Sequence, residues 1–105
     1  MLNKTYKLRF LPAFKRDLYQ IVLYIARELK SPITANKFVD EVEFAIKKRL
    51  SCPDSFEPYE SDKQRKDTYY RINVKNYSIF YVIINDYMEV RRIIYSHRNL
   101  SSHIR

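Results

Sequence analysis

The sequence predicts an α+β fold, in which a helical hairpin packs on one face of a mostly antiparallel, twisted sheet. Two segments in its first half repeat apolar residues every three or four positions, as amphipathic helices do. Three segments in its second half read as strands. Short turns at 75–76 and 85–86 join each of these strands to the next, which is typical of antiparallel hairpins. With one short strand at the start of the chain, the predicted order is β-α-α-β-β-β.

The first two elements follow one another directly. Residues 5–11, TYKLRFL, alternate apolar and polar side chains and predict a short strand. Pro12 suits the first turn of a helix, where no backbone N–H is needed. Apolar residues then recur at helical spacing, so we expect a helix over about 12–30. The strand at 5–11 can pair with any edge of the sheet, and the sequence does not indicate which.

A second helix follows almost without a linker. Ser31 is a suitable N-cap and Pro32 a suitable first helical residue. The apolar stripe then runs to Leu50, and the short connection predicts an antiparallel helical hairpin. Residues 51–68 carry two prolines and mixed charges, which indicates a loop.

The three remaining strands are YYRINV, YSIFYVII and MEVRRIIYSH, with turns at 75–76 and 85–86. Strand alternation sorts their side chains into two faces. The more apolar face should take the helices, and its members are Tyr70, Ile72, Val74, Tyr77, Ile79, Tyr81 and Ile83. The second face would hold Arg71, Asn73, Ser78, Phe80 and Val82. If 85–86 is a two-residue turn, it also holds Arg91, Ile93, Tyr95 and His97, whereas a three-residue turn would place Arg92 there instead.

This second face mixes aromatic, aliphatic and guanidinium groups, which is the composition of a binding surface. Arginines beside aromatic residues suit nucleic acid, and the same mixture suits a protein partner. The remaining alternative is that a loop or the C-terminal residues fold over it.

Composition limits the function classes. The 105 residues indicate a single domain spanning residues 1–105, and the net charge of +8 is consistent with an anionic partner or with solubility alone. The chain has no glycine, so its turns must use Asn, Asp, Ser or Pro. Cys52 is the sole cysteine, and neither a disulfide framework, a metal site nor a cofactor is expected. No signal peptide or membrane span is visible, so we expect a cytoplasmic protein without a membrane partner.

Four stretches together resemble the RelE/ParE toxin superfamily of bacterial type II toxin–antitoxin modules. YKLRFLPAFKRDLYQIVLYI is similar to the family's first strand and helix, and SPITANKFVDEVEFAIKKRLSCPDSFEPY to its second helix and the exit from it. YYRINVKNYSIFYVI is similar to the central hairpin, and VRRIIYSHRN to the last strand. The resemblance implies a small basic toxin whose exposed face is covered by a cognate antitoxin.

The superfamily divides by target. RelE-like members cleave mRNA in the ribosome with basic residues on the last three strands, whereas ParE-like members poison DNA gyrase and lack that set. Arg71 matches the first basic position, but Asn73 and Ser78 stand where the nuclease pattern has cations. Arg98 fits both branches. The resemblance therefore favours a ParE-like, non-enzymatic mode, which the long helical hairpin also favours.

Two alternatives remain open at this point. One is a RelE-like, metal-independent endoribonuclease, in which the resemblance would give catalytic roles to Arg71, His97 and Arg98. The other is an inactive homologue that keeps only the antitoxin contact. In each case we expect the target or the antitoxin to be bound by Asn73, Phe80, Val82, Arg91, Arg92, Ile93 and Tyr95, and the turn register decides whether Arg91 or Arg92 is on the open face.

Overall fold

A computed structural model describes residues 5–60 and 66–96 of the chain. Two helices pack on one face of a four-stranded mixed sheet, which confirms the predicted α+β class and element order. The elements are β1 (Lys7–Phe10), α1 (Pro12–Arg27), α2 (Pro32–Leu50), β2 (Tyr70–Val74), β3 (Tyr77–Ile84) and β4 (Tyr87–Tyr95).

The connection between α1 and α2 contains the end of the first helix and the N-cap of the second. Helix α1 ends three residues earlier than predicted, and the chain reverses through Lys30, whose φ is 51°. Ser31 caps α2 as predicted, since its hydroxyl accepts a hydrogen bond of 3.2 Å from the backbone N–H of Thr34. Pro32 occupies the first helical position, which also agrees with the sequence.

The sheet order is β1-β4-β3-β2, so the strand whose partner the sequence left open lies at one edge. β1 runs parallel to β4, and the other pairs are antiparallel. Both predicted two-residue turns are present. Lys75 and Asn85 take positive φ values of 55° and 56° in these turns.

The helix-side core confirms the predicted first face. Phe14 and Ile25 of α1 pack with Phe38, Val42 and Ile46 of α2 in this core. All seven residues assigned to the helix side of β2 and β3 lie in it or pack against it. Most of the molecule's apolar burial is therefore on this side of the sheet.

A β-bulge in β4 changes the predicted register of its second half. Tyr81 pairs with Val90, but Phe80 pairs with Arg92, so Arg91 is an extra residue with no partner in the β3–β4 ladder. The register therefore shifts by one residue beyond the bulge. Ile93 lies in the helix-side core as a result, and the prediction that it lies on the second face is wrong.

Tyr95 is placed differently from the prediction for the same reason. It pairs with Tyr77, a helix-side residue, and the two rings meet edge to face with centroids 5.6 Å apart. Among the residues that the structure describes, no helix is long and apolar enough to cross a membrane.

Candidate functional site on the second face of the sheet

The apolar part of the second face is a small core of its own. Phe80, Val82 and Ile94 are each at most 4% exposed, and they cluster with Tyr69. The ring of Tyr59 meets Phe80 edge to face at 5.1 Å. The expectation that Phe80 and Val82 form an open binding surface is therefore wrong.

Tyr59, in the segment between α2 and β2, supplies this cover. The backbone N–H of Tyr59 donates a 2.7 Å hydrogen bond to the carbonyl of Tyr69, which holds the loop against the sheet. Arg49 at the end of α2 anchors the other end of this segment. Its guanidinium donates to the Tyr81 hydroxyl at 2.9 Å and lies over the ring of Phe56 at 3.5 Å. The Tyr81 hydroxyl in turn donates to the carbonyl of Pro53 at 2.7 Å.

Arg91 faces the second side, as predicted, but it is engaged within the protein. Its Nε donates to a carboxylate oxygen of Glu89 at 2.8 Å, and its Nη1 lies 3.1 Å from the Asp67 carboxylate. Nη1 also donates to the Tyr69 hydroxyl at 2.9 Å. Burial lowers the pKa of this guanidinium, but its hydrogen bonds to Tyr69 and Glu89 outweigh that effect and leave the pKa above its ordinary value.

Glu89 is the buried acid at the centre of this group. Its second carboxylate oxygen accepts a 2.9 Å hydrogen bond from Arg9 of β1. Both carboxylate oxygens of Glu89 are therefore already engaged by guanidinium groups of the protein itself. The sequence pattern gave no sign of this role, because Glu89 is a single acid between Met88 and Val90 in β4.

Arg92, the neighbour of the bulge residue, points toward α1. Its Nε and Nη2 donate to the two carboxylate oxygens of Asp17 at 2.7 and 3.0 Å. The backbone N–H of Ile93 donates to the same carboxylate at 3.1 Å. The hydrogen bonds to Asp17 raise the pKa of the Arg92 guanidinium although burial opposes them.

Neutral side chains, those of Asn73 and Ser78, occupy the two positions where the nuclease pattern has cations. They are hydrogen-bonded to one another. Asn73 and Ser78 are opposite one another on β2 and β3, and the Ser78 hydroxyl lies 3.4 Å from Oδ1 of Asn73. The same hydroxyl is 2.9 Å from that of Ser96. Ser78 is fully buried, so it has no access to a substrate.

Arg71 differs from the other arginines of this face. Its side chain is exposed, and its guanidinium lies 5.3 Å from the centre of the Tyr59 ring. It forms no ion pair with an acid among residues 5–60 and 66–96. His97 and Arg98, the other two residues with predicted catalytic roles, lie outside the described residues.

A groove on the opposite side brings Tyr95, which was expected on the second face, together with Tyr77 and with Tyr24, which the sequence analysis did not select. Tyr24 of α1, Tyr77 of β3 and Tyr95 of β4 line a space of about 840 Å³ between the hairpin and the sheet. Tyr24 and Tyr95 are 53% and 39% exposed, so their rings are accessible from solvent. In the described parts of the chain, no three His, Cys, Asp or Glu residues are grouped so as to hold a metal ion.

The chain matches a known protein family in sequence and is similar in fold to solved structures. The model of the family described as "ParE toxin of type II toxin-antitoxin system, parDE" matches residues 8–100. No curated protein matches the chain. The fold is similar to a chain of the chromosomal ParDE TA system from P. aeruginosa, with a TM-score of 0.74 and 15% identity over 88% of this chain and 97% of that chain.

A second solved structure is more distant. The RelB–RelE antitoxin–toxin complex from Methanococcus jannaschii includes a chain that is 20% identical, with a TM-score of 0.49, over 92% of this chain and 99% of that chain.

Proposed function

Because the chain belongs to the family of ParE toxins of type II toxin–antitoxin systems, we propose that it arrests growth by a non-enzymatic, gyrase-directed mode and that a cognate antitoxin neutralises it. The cytoplasm is the compartment in which we place this activity, since both partners are expected there. The single observation that carries the mode is that Asn73 and Ser78, a neutral hydrogen-bonded pair, occupy the two positions where the nuclease pattern has cations.

Three features of the second face support this mode. Glu89 has a guanidinium on each carboxylate oxygen, and Arg91 is held by two acids. Arg92 is paired with Asp17 of α1. Cleavage of RNA by its own 2′-hydroxyl requires a proton acceptor and cations directed at the phosphate. Side chains already paired inside the protein supply neither without first breaking those pairs.

Arg71 favours the second candidate, a ribosome-dependent endoribonuclease. It is an exposed cation beside an aromatic ring, and this combination binds single-stranded nucleic acid in other proteins. One guanidinium is insufficient for the chemistry, because proton transfer and charge stabilisation must act on the same phosphate. We therefore keep this activity as the alternative.

Two assays on the purified protein test the proposal. We expect DNA supercoiling by gyrase to fall as the protein is added, and we expect no codon-linked cuts in mRNA from a translating extract. Arg71→Ala should leave the gyrase effect unchanged, as should Lys37→Ala, a matched removal of an exposed cation from α2. Cleavage of mRNA that Arg71→Ala abolishes and Lys37→Ala preserves would overturn the gyrase mode.

A further inference from the structure

A continuous surface of two arginines and two aromatic residues follows the β2 edge of the sheet. The guanidinium of Arg49, in the last turn of α2, lies over the ring of Phe56 at 3.5 Å. Its Nη1 donates a 3.4 Å hydrogen bond to the carbonyl of Arg71. The guanidinium of Arg71 lies 5.3 Å from the centre of the Tyr59 ring. These four residues are therefore linked contact by contact, and together they form the β2-edge surface.

The two arginines of this surface carry positive charge that no described acid neutralises. Within residues 5–60 and 66–96, no ion pair involves Arg49 or Arg71. Glu57 and Glu60 lie in the same loop as the two aromatic residues, and both are exposed. Arg49 forms its hydrogen bonds to described residues through Nη1 alone, so its other N–H groups are available to a ligand, as are those of Arg71. Such a guanidinium is well suited to bind a phosphate group.

The other arginines of the sheet are placed differently. Arg9, Arg91 and Arg92 each donate to a carboxylate at 2.9 Å or less. The acids that they meet, Glu89 and Asp17, belong to β4 and α1. Of the four strand arginines, Arg71 is the one without a carboxylate partner in the described parts of the chain, which leaves its charge for a molecule from outside the protein.

The aromatic rings of the β2-edge surface are held in place by the protein itself. Phe56 is 45% exposed, although burial of a phenylalanine ring is favourable. Arg49 lies over its ring and limits the orientations that the ring can take. The half-buried ring of Tyr59 meets Phe80 edge to face, and its backbone N–H donates to the carbonyl of Tyr69. A flat group that stacks on these rings therefore costs little additional ordering of the protein.

We propose that the β2-edge surface binds single-stranded DNA, with phosphates at the two guanidinium groups and unpaired bases stacked on the rings. Stacking of this kind accepts any base, so we expect little dependence on sequence. The Phe56 ring and the guanidinium groups contain no acceptor for a 2′-hydroxyl, so they give RNA no advantage.

The choice of DNA rests on the proposed function, since gyrase acts on DNA, whereas the site itself rests on the geometry. Binding at this surface involves no cleavage and is not required for the effect on gyrase. It is therefore measured on the purified protein with an oligonucleotide alone.

Fluorescence anisotropy with a labelled thymidine oligonucleotide of about 12 nucleotides measures the binding. We expect a dissociation constant of about 1–100 μM, the usual range for binding without sequence preference. An abasic strand of the same length keeps the phosphates but has no bases to stack, so it should bind about tenfold more weakly. The corresponding uridine strand should bind within about threefold of the DNA strand.

Removal of one guanidinium tests the phosphate contact. Arg71→Ala should weaken binding by about tenfold. It should also reduce the slope of log affinity against log salt concentration by about 0.7, the value for one phosphate contact on a single strand. Arg27→Ala removes the same charge from the exposed last turn of α1 and should leave affinity within about twofold, because salt screens remote charges.

Removal of one ring tests the stacking contact. Phe56→Ala should weaken binding by about tenfold, whereas Phe56→Tyr keeps a ring and should stay within about twofold. Phe44→Ala removes a phenylalanine that is 69% exposed on α2, and it should also stay within about twofold. Both phenylalanines are exposed, so neither alanine variant opens a cavity in the core.

The outcomes separate this inference from the proposed function. Equal losses for Arg71→Ala and Arg27→Ala, or equal binding of the abasic strand, would show a general attraction to the net charge of +8 and overturn the site. RNA that binds tenfold more tightly than DNA, or is cleaved, would overturn the assignment to DNA. No oligonucleotide binding, with inhibition of gyrase intact, overturns the site alone. Binding that depends on Arg71 and Phe56, with gyrase unaffected by the protein, upholds the site and overturns the proposed function.

Discussion

The carboxylate of Asp17 in α1 accepts two hydrogen bonds, of 2.7 and 3.0 Å, from the guanidinium of Arg92 in β4. The two residues are 75 positions apart in the sequence. The same carboxylate accepts the backbone N–H of Ile93 at 3.1 Å. The Asp17 side chain therefore accepts hydrogen bonds from both the Arg92 guanidinium and the backbone N–H of Ile93, just beyond the β-bulge. The contact joins α1 to β4 directly after the bulge residue Arg91.

Removal of the Asp17 carboxylate should destabilise the folded protein. We expect Asp17→Ala to lower the free energy of unfolding by about 2–3 kcal/mol, because a largely buried guanidinium and an amide lose their acceptor. Asp17→Asn keeps one oxygen for these donors and should cost less than Asp17→Ala. Urea titration measures both, with Asp40→Ala on exposed α2 surface as the control at about 0.5 kcal/mol or less. An Asp17→Ala protein as stable as that control would contradict the proposed role.

Two glutamates allow a comparison of buried and exposed ion pairs. The Glu89 side chain is 10% exposed and meets Arg9 and Arg91, so Glu89→Gln should cost about 2–3 kcal/mol in unfolding free energy. Glu41 is 45% exposed and pairs with Lys75 at 3.4 Å, so Glu41→Gln should cost about 0.5 kcal/mol or less. Chemical denaturation gives both values, and equal losses would rule out the expected dependence on burial.

The raised pKa of Tyr81 predicts that the protein loses stability at high pH. Burial raises the pKa of its hydroxyl above the ordinary value of about 10, with the nearby Arg49 guanidinium opposing the shift. The folded protein therefore holds this proton more tightly than the unfolded chain does. The stabilisation is complete below pH of about 10 and is lost as the pH rises through the folded pKa.

Tyr81→Phe isolates this effect from the other tyrosines. At neutral pH the variant should be less stable by about 1–2 kcal/mol, because the carbonyl of Pro53 loses its donor. The difference in unfolding free energy between the unmodified protein and Tyr81→Phe should become smaller as the pH rises above about 10. Urea unfolding across that pH range measures this difference. A gap that stays constant or widens would be inconsistent with a raised pKa.

The turns offer a stabilising substitution. Lys75 holds a φ of 55°, which is unfavourable for a side chain of this kind, and the chain uses no glycine anywhere. Lys75→Gly should raise the unfolding free energy by about 0.5 kcal/mol, since relief of the positive φ exceeds the added entropy of the unfolded chain. Asn85→Gly should gain less, because asparagine tolerates this region. Thermal melts compare the two, and a larger gain at Asn85 would count against this reasoning.

Local patterns were enough to predict the element order, both hairpin turns, the cap at Ser31 and the helix-side face of β2 and β3. Each depends on residues close together in the sequence. The bulge at Arg91 was not predictable, because the alternation of side chains along β4 gives no sign of an extra residue and the contact beside it, with Asp17, is to another element. The cover over Phe80 was considered only as an alternative, since Tyr59 lies in a segment without periodicity. The roles assigned to the site residues remain predictions.

The parallel pairing of β1 with β4 also has a consequence for folding. Arg9 and Glu89, which meet across these strands, are 80 residues apart, so the first strand leaves the ribosome long before its partner is made. The helical hairpin and the β2–β3–β4 meander contain mostly local contacts and can form early, whereas closing so long a loop is slow. We therefore expect β1 to be the last strand to join the sheet.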